Sequence, residues 1–246
     1  MHDPHLLVGI VALLAIVQSV FGMGILVFGT PTLLLMGYDF TSVLGLLLPA
    51  SVSISAVQAG SARRRAVPAA ERVTMVICAI AVLVSLAMLV RLNLKARADL
   101  LIGVAMLSAA AMRYSSRLQT GLRKFVHARS RLYVGAMGVV HGLTNMGGAL
   151  LAVYAASRYD DKHAVRAAIS RYYLLFGAIQ LGTLALLRPA ALSVQGVAMA
   201  PVAVAIYFAV GNVLFARAGA PLYERAMTAF IGVYGAVVLA KTLVFA

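Results

Sequence analysis

Arg166 and Arg171 fall inside the apolar run 164–187, where charged side chains are rare. A guanidinium held there can grip a planar or tetrahedral oxyanion through paired hydrogen bonds. Arg171 lies five residues beyond Arg166, about 8 Å further along a helix, and is the candidate ligand of the two. The alternative is an arginine that binds helix-end carbonyls or snorkels to the membrane interface, which is the expected role of Arg166. Ser51, Ser55 and Gln58 are spaced i, i+4, i+7 and share one helix face. Tyr173, Gly177 and Gln180 occupy the corresponding positions of the run 164–187. Hydroxyls and amides can ligate a small anion without carrying charge; in a membrane the same residues also serve as interhelical glue.

Two glycine clusters interrupt apolar runs. The first is Gly22-Met23-Gly24, followed by Pro31, with Gln18, Ser19, Thr30 and Thr32 beside it. The second is Asn145-Met146-Gly147-Gly148, with His141 and Thr144 beside it. A helix that stops and restarts presents backbone N–H groups and the positive end of its dipole, which together can bind an anion. Glycine lets the backbone turn and approach a ligand closely. Such irregular backbone is tolerated at membrane depth only where protein or water covers it. His141 is the one histidine deep in an apolar run; it can carry a proton near neutral pH or serve as a neutral hydrogen-bonded group beside the kink. The candidate substrate-binding set is therefore Gln18, Ser19, Gly22, Gly24, Thr30, Ser55, Gln58, His141, Thr144, Asn145, Gly147, Gly148, Arg171, Tyr173 and Gln180.

No nucleophile or metal-ligand constellation stands out, so no catalytic residue, metal or cofactor is expected and the chain does not read as an enzyme. The seven acids, Asp3, Asp39, Glu71, Asp99, Asp160, Asp161 and Glu224, all sit at run ends or in loops. A cation path or carboxylate proton relay normally needs one inside the membrane. The single cysteine, Cys78, lies in an apolar run and reads as a packing residue.

The elements that must position these groups are membrane helices. Of the 246 residues, 63% are hydrophobic and 11% charged, whereas a soluble domain is about half apolar and about a quarter charged. Apolar runs lie at 6–37, 41–60, 72–90, 98–112, 131–157, 164–187, 191–213 and 225–246, most near the length that spans a bilayer. The N-terminal run has no basic region before it and reads as a retained membrane segment. The net charge of +14 is concentrated between runs, where it sets topology and meets anionic lipid; nucleic acid is not an expected partner.

The chain divides into a first membrane repeat (1–112), a basic cytoplasmic linker (113–130) and a second membrane repeat (131–246), each repeat holding four segments. Tyr38-Asp39 matches Tyr159-Asp160, Ala56–Gly60 matches Ala178–Gly182, and Gly22–Gly24 matches Asn145–Gly147, at offsets of 121 to 123. Duplication with an interrupted helix at the same place in each half is the pattern of a secondary transporter. If the interrupted runs cross fully, the repeats are parallel. If they fold back, the repeats are inverted, and the loops at 61–72, 113–131, 158–166 and 217–225 share one side. The inverted arrangement segregates positive charge better and is preferred. The expected fold is an all-α integral membrane protein of about eight hydrophobic segments.

The spacing Gly22, Gly24, Pro31 resembles the first signature of the TauE/SafE sulfite exporter family, and Gly142-Leu143-Thr144-Asn145-Met146-Gly147-Gly148 resembles its second copy. Ile25, Leu26, Asn145 and Ala149 stand where the family usually has glycine, and Tyr154 where it has proline. The resemblance implies a permease of the inner (plasma) membrane, multi-pass, exporting sulfite, sulfoacetate or a related sulfur-containing anion. Its expected partners are that anion and the bilayer, with a homodimer left open. Alternating access, with proton coupling through His141 as one option, is the expected mechanism. A channel-like anion pore and a non-transporting membrane subunit are the alternatives.

Overall fold

The computed structural model describes residues 4–62, 67–92, 107 and 115–244, and among these it contains helices and no strand. The run 98–112, apart from Leu107, and Arg63, Arg64 and Arg65 lie outside the described residues. The run 6–37 forms two helices, α1 (Pro4–Phe21) and α2 (Ile25–Leu35). Then come α3 (Phe40–Ser61) and α4 (Ala69–Arg91). The basic stretch expected as a linker holds α5 (Ser116–Ala128), which presents Arg123 to Asp160 at 3.5 Å. The run 131–157 is again two helices, α6 (Ser130–Thr144) and α7 (Gly148–Arg158). They are followed by α8 (Lys162–Leu187), α9 (Val194–Arg217, with a π-turn at Tyr207–Gly211) and α10 (Ala220–Val244). By length and composition α3, α4 and α9 are each able to cross a bilayer.

The first interruption follows from glycine chemistry. Gly22 has φ +77°, and a Cβ there would lie 3.1 Å from the Arg166 carbonyl oxygen. A Cβ on Gly24 would lie 2.6 Å from the Gln18 nitrogen and 3.0 Å from the Leu14 oxygen. That contact makes α2 run back along α1, since the Ile25 N–H reaches Gln18 while Gly29 faces Leu14. The second interruption uses Asn145, the one non-glycine residue with positive φ (61°) among the described residues. Asparagine tolerates this conformation better than most residues. Its N–H closes α6 on the His141 carbonyl at 2.7 Å. A Cβ on Gly147 would lie 2.6 Å from His141 Cβ and 2.9 Å from the Met137 oxygen. Tyr133 donates to the Leu150 carbonyl at 2.8 Å, so α7 runs back along α6.

Small residues set the spacing of the rest. Gly135, Gly138 and Gly142 lay α6 against Ile77, Cys78, Ala81 and Ser85 of α4, the close approach that membrane helices use in place of a hydrophobic drive. On the opposite face of α4, Val73, Val76, Ile80, Leu83, Val84 and Met88 are exposed; in a membrane that face meets lipid tails. Gly177 of α8 admits Val52 of α3, and Ser170 meets Gln58, so these two helices are antiparallel.

One end of the bundle collects the basic residues. Lys162 donates to the Phe215 carbonyl at 2.9 Å and to the Ala218 carbonyl, the side-chain cap expected where a cation meets a helix C-terminus. Arg123 donates to the Ala156 carbonyl at 3.1 Å. The segments 158–166 and 217–225 therefore share an end with the start of α4 and with α5. At the start of α3, Asp39 accepts from the Thr41 and Ser42 N–H groups, both at 3.1 Å. Burial pushes its carboxyl up, but the hydrogen bonds from Ser42 and Thr41 outweigh this and hold it below the usual carboxylate range. The matching cap of α8 is Asp161, one residue beyond the expected counterpart Asp160, which faces Arg123 instead.

Candidate functional site

The candidate residues separate into two buried polar networks, one at each interruption. At the first, the Gln18 amide is fully used. Its Nε2 donates to the Ser51 carbonyl (2.8 Å) and the Ser55 hydroxyl (3.2 Å), and its Oε1 accepts from the Ile25 N–H (3.2 Å) and the Ser51 hydroxyl (3.0 Å). The first N–H of α2, expected to face a ligand, is thus capped by Gln18. Gln58 Nε2 donates to the Gln18 and Ser19 carbonyls at 3.2 and 2.9 Å, and its Oε1 accepts from Ser170 at 3.0 Å. These carbonyls belong to the last turn of α1, where helix C=O groups run short of backbone partners; the Gln18 carbonyl also accepts from the Gly22 N–H at 2.8 Å. The Ser19 hydroxyl turns back to Ala15 at 2.6 Å.

Arg166 joins the same helix end. Its Nη1 donates to the Ser19 carbonyl at 3.1 Å, and both Nη groups reach Asn212 Oδ1 at 3.4 Å. The guanidinium lies over the Phe215 ring, 3.4 Å from its centroid. The carbonyl contact is the one expected of Arg166, but the residue also lines an open pocket of about 270 Å³ with Gln58, Ser61, His163, Ala167 and Ser170. The pocket opens at the basic end, none of its lining residues is acidic, and the bonds described leave part of the guanidinium edge over for a guest. Gln58 and Ser170 are its inner wall, 3% and 0% exposed.

At the second interruption Asn145 is the hub. Its Nδ2 donates to the Thr30 hydroxyl at 2.7 Å, and its Oδ1 accepts from Gln180 Nε2 at 3.1 Å. The left-handed backbone aims this amide at α2 and α8 together. Thr144 turns inward on its own loop, donating to the Val140 carbonyl and accepting from the Met146 N–H. Gly148 lies against Tyr173 and Val27, so the starts of α2 and α7 come together. His141 packs on Phe176 and Tyr173, with ring centroids 4.1 and 6.0 Å away.

Arg171 goes elsewhere. Its Nε and Nη2 donate to Glu71 Oε1 at 3.2 and 2.8 Å, and Tyr159 donates to the other carboxylate oxygen. The guanidinium and carboxylate side chains are 15% and 5% exposed. Burial and the Glu71 carboxylate push the Tyr159 phenol up to about 12. Arg171 therefore ties α8 to the start of α4 and reaches neither interruption.

The sequence signals for the pocket were a helix stripe and one residue. Arg166, Ser170, Tyr173, Gly177 and Gln180 recur at four- and three-residue steps along α8, one continuous face. Asn212, which holds Arg166, is an amide inside an apolar run, a position normally kept for function.

Two buried clusters of hydroxyls and amides, with an acid-free pocket beside Arg166 at the basic end, offer uncharged donors and one cation of the kind that suits small anions. The family model for the sulfite exporter TauE/SafE matches residues 6–244. The chain belongs to the TauE/SafE family. No curated protein and no solved structure matches it. Membership makes the chain a membrane permease of a family named for sulfite export, and its apolar helices fit that setting.

Proposed function

We propose that this TauE/SafE protein is a secondary transporter that exports a small sulfur-containing anion such as sulfite, sulfoacetate or another organosulfonate. The observation that carries this reading is the acid-free pocket of about 270 Å³ in which Arg166, Gln58 and Ser170 meet beside the tip of the α1–α2 pair. The basic end faces the cytoplasm by the positive-inside rule, so the pocket is the loading vestibule of the plasma membrane protein. An interior-negative potential drives anions outward by about 2.3 kcal/mol per charge per 100 mV.

Alternating access follows from inverted repeats. Gly24 lies on Leu14 and Gln18 as Gly147 lies on Met137 and His141, a constant offset of 123 residues, and Gly22 and Asn145 share the left-handed conformation at the same offset. The α6–α7 pair enters from the basic end and the α1–α2 pair from the other. Matched turns on opposed hairpins support a pseudo-twofold axis in the membrane plane and the rocking of one repeat against the other.

The test is Arg166→Gln in the full-length protein, folded by thermal unfolding and reconstituted in liposomes. Affinity for sulfite and sulfoacetate should fall about ten- to a hundredfold, the value of a hydrogen bond to a charged group. Unchanged affinity and flux sink the vestibule assignment, and wild-type flux that never saturates with sulfite points instead to a pore.

A further inference from the structure

Beyond the vestibule, α8 carries its polar stripe to a second cluster that the transport reading does not yet use. Tyr173, His141 and Gln180 are each 0% exposed. The Tyr173 hydroxyl, both His141 ring nitrogens and Gln180 Oε1 have no hydrogen-bond partner. Gln180 lies within reach of the His141 ring, but the geometry closes no bond between them. The Tyr173 hydroxyl points at the first residue of α7: a Cβ on Gly148 would lie 1.9 Å from it. That helix has 11 residues, and its start carries the positive end of the dipole.

Each of these atoms is costly as it stands. Leaving a hydroxyl, imidazole or amide oxygen unpaired in an apolar medium costs roughly 2–7 kcal/mol, and lipid offers no water to relieve it. Their grouping in one place marks the position of a guest. The donors facing it are the tyrosine O–H and the single N–H of a neutral imidazole, set beside a positive helix end; that arrangement is complementary to sulfonate or sulfite oxygens. No side chain that the structure places against the cluster is charged: Tyr173, Phe176 and Gln180 come from α8, Asn145 from the turn, Val27 from α2. A dianion there would be heavily uncompensated, whereas one negative charge shared among two donors and a helix start is within reach.

We infer that this cluster is a second, deeper subsite selective for singly charged sulfur oxyanions, held by the Tyr173 hydroxyl and the His141 N–H at the start of α7. It rests on the transport reading and narrows it by a charge filter: the vestibule accepts anions through Arg166, and the deep subsite passes only monoanions such as hydrogensulfite or a simple sulfonate, so that sulfoacetate, a dianion at neutral pH, binds at the vestibule without crossing.

Two probes of fixed charge test it without changing pH: methanesulfonate, a monoanion, and sulfate, a dianion. In proteoliposomes the wild-type protein should carry methanesulfonate, while sulfate should compete for binding yet cross at least about tenfold more slowly, the value of one well-made charged hydrogen bond. Tyr173→Phe keeps the ring and removes a hydroxyl that has no partner, so thermal stability without ligand should hold. Its methanesulfonate flux should fall about ten- to a hundredfold while sulfate binding at the vestibule is retained. Arg166→Gln should lose both. Sulfate crossing as fast as methanesulfonate overturns the charge filter. Wild-type flux in Tyr173→Phe overturns the subsite and leaves a cluster that holds buried water only. If Tyr173→Phe does not fold, the same flux measurement on His141→Gln decides in the same way. Absence of any binding to the wild-type protein refutes the transport reading itself, a result distinct from either of these.

Discussion

Arg171→Ala removes the partner of a carboxylate that is almost sealed from solvent. Glu71 is 5% exposed in its side chain and accepts two bonds from Arg171, at 3.2 and 2.8 Å. Tyr159 would remain as its hydrogen-bonding neighbour, but a phenol does not balance the charge. Breaking a buried pair from one side costs about 3–5 kcal/mol, because the other ion stays behind uncompensated. The folded population should therefore shift by roughly a hundred- to several-thousandfold. Replacing both partners by apolar residues of similar size, Arg171→Met with Glu71→Leu, should recover most of that loss, since such exchanges are often neutral. The assay is a double-mutant cycle by denaturant unfolding of the purified protein in micelles, with sulfite affinity measured on each folded variant. Arg171 was a candidate anion ligand; its ion pair with Glu71 assigns it to the scaffold, so affinity should stay within about twofold, below the effect of one lost hydrogen bond. A stable Arg171→Ala that has lost sulfite affinity refutes this, as does a double variant no more stable than the single one.

Other outcomes follow from the two turns and the α3 cap. Gly22→Ala should destabilise by at least about 1–2 kcal/mol from the left-handed backbone alone, and more from the 3.1 Å approach to the Arg166 carbonyl; a neutral result in thermal unfolding contradicts the turn geometry. Asn145→Gly keeps access to positive φ but strands Thr30 and Gln180, at about 1–3 kcal/mol for each buried group left unpaired. Asn145→Ala adds backbone strain, so unfolding should rank wild type, then glycine, then alanine. Asp39→Ala should cost about 0.5–2 kcal/mol as a lost N-cap. The Asp39 carboxyl is held below its usual range in the folded protein. Its contribution is therefore present above the unfolded carboxyl pKa of about 3.9 and is lost as pH falls through the lower folded value. Stability measured against pH should show Asp39→Ala and wild type converging in acid.

Much of the architecture was legible because its causes are local. Composition and run length require membrane helices wherever they fold, and glycine pairs bounded by apolar residues mark where a helix must stop. Polar side chains inside those runs had to face one another, so Gln18, Ser55, Gln58, Asn145 and Gln180 were identifiable as interior groups before any contact was known. Gly24 and Gly147, paired in the sequence by their spacing, each lie against the helix that precedes them.

Which polar group meets which is a different matter, because spacing along one helix says nothing about what the neighbouring helix presents. Arg166 and Arg171 are equally arginine. One lands on a helix C-terminus at an open pocket and the other on a buried carboxylate, since α8 turns those positions toward α1 and α4 respectively. Gln18 was a plausible ligand until the return of α2 placed the Ile25 N–H on it and used its last lone pair. Tyr173 and His141 were candidates on separate helices until the fold set the Tyr173 hydroxyl against Gly148, beside the His141 ring, with no hydrogen-bond partner for either. The sequence by itself determined that this chain is a helical membrane protein with polar groups gathered inside its apolar runs. Only the tertiary structure decided which of those groups are satisfied by one another and which are left to hold a guest, because hydrogen-bond satisfaction is a property of pairs, and the pairs are made by elements distant in the chain.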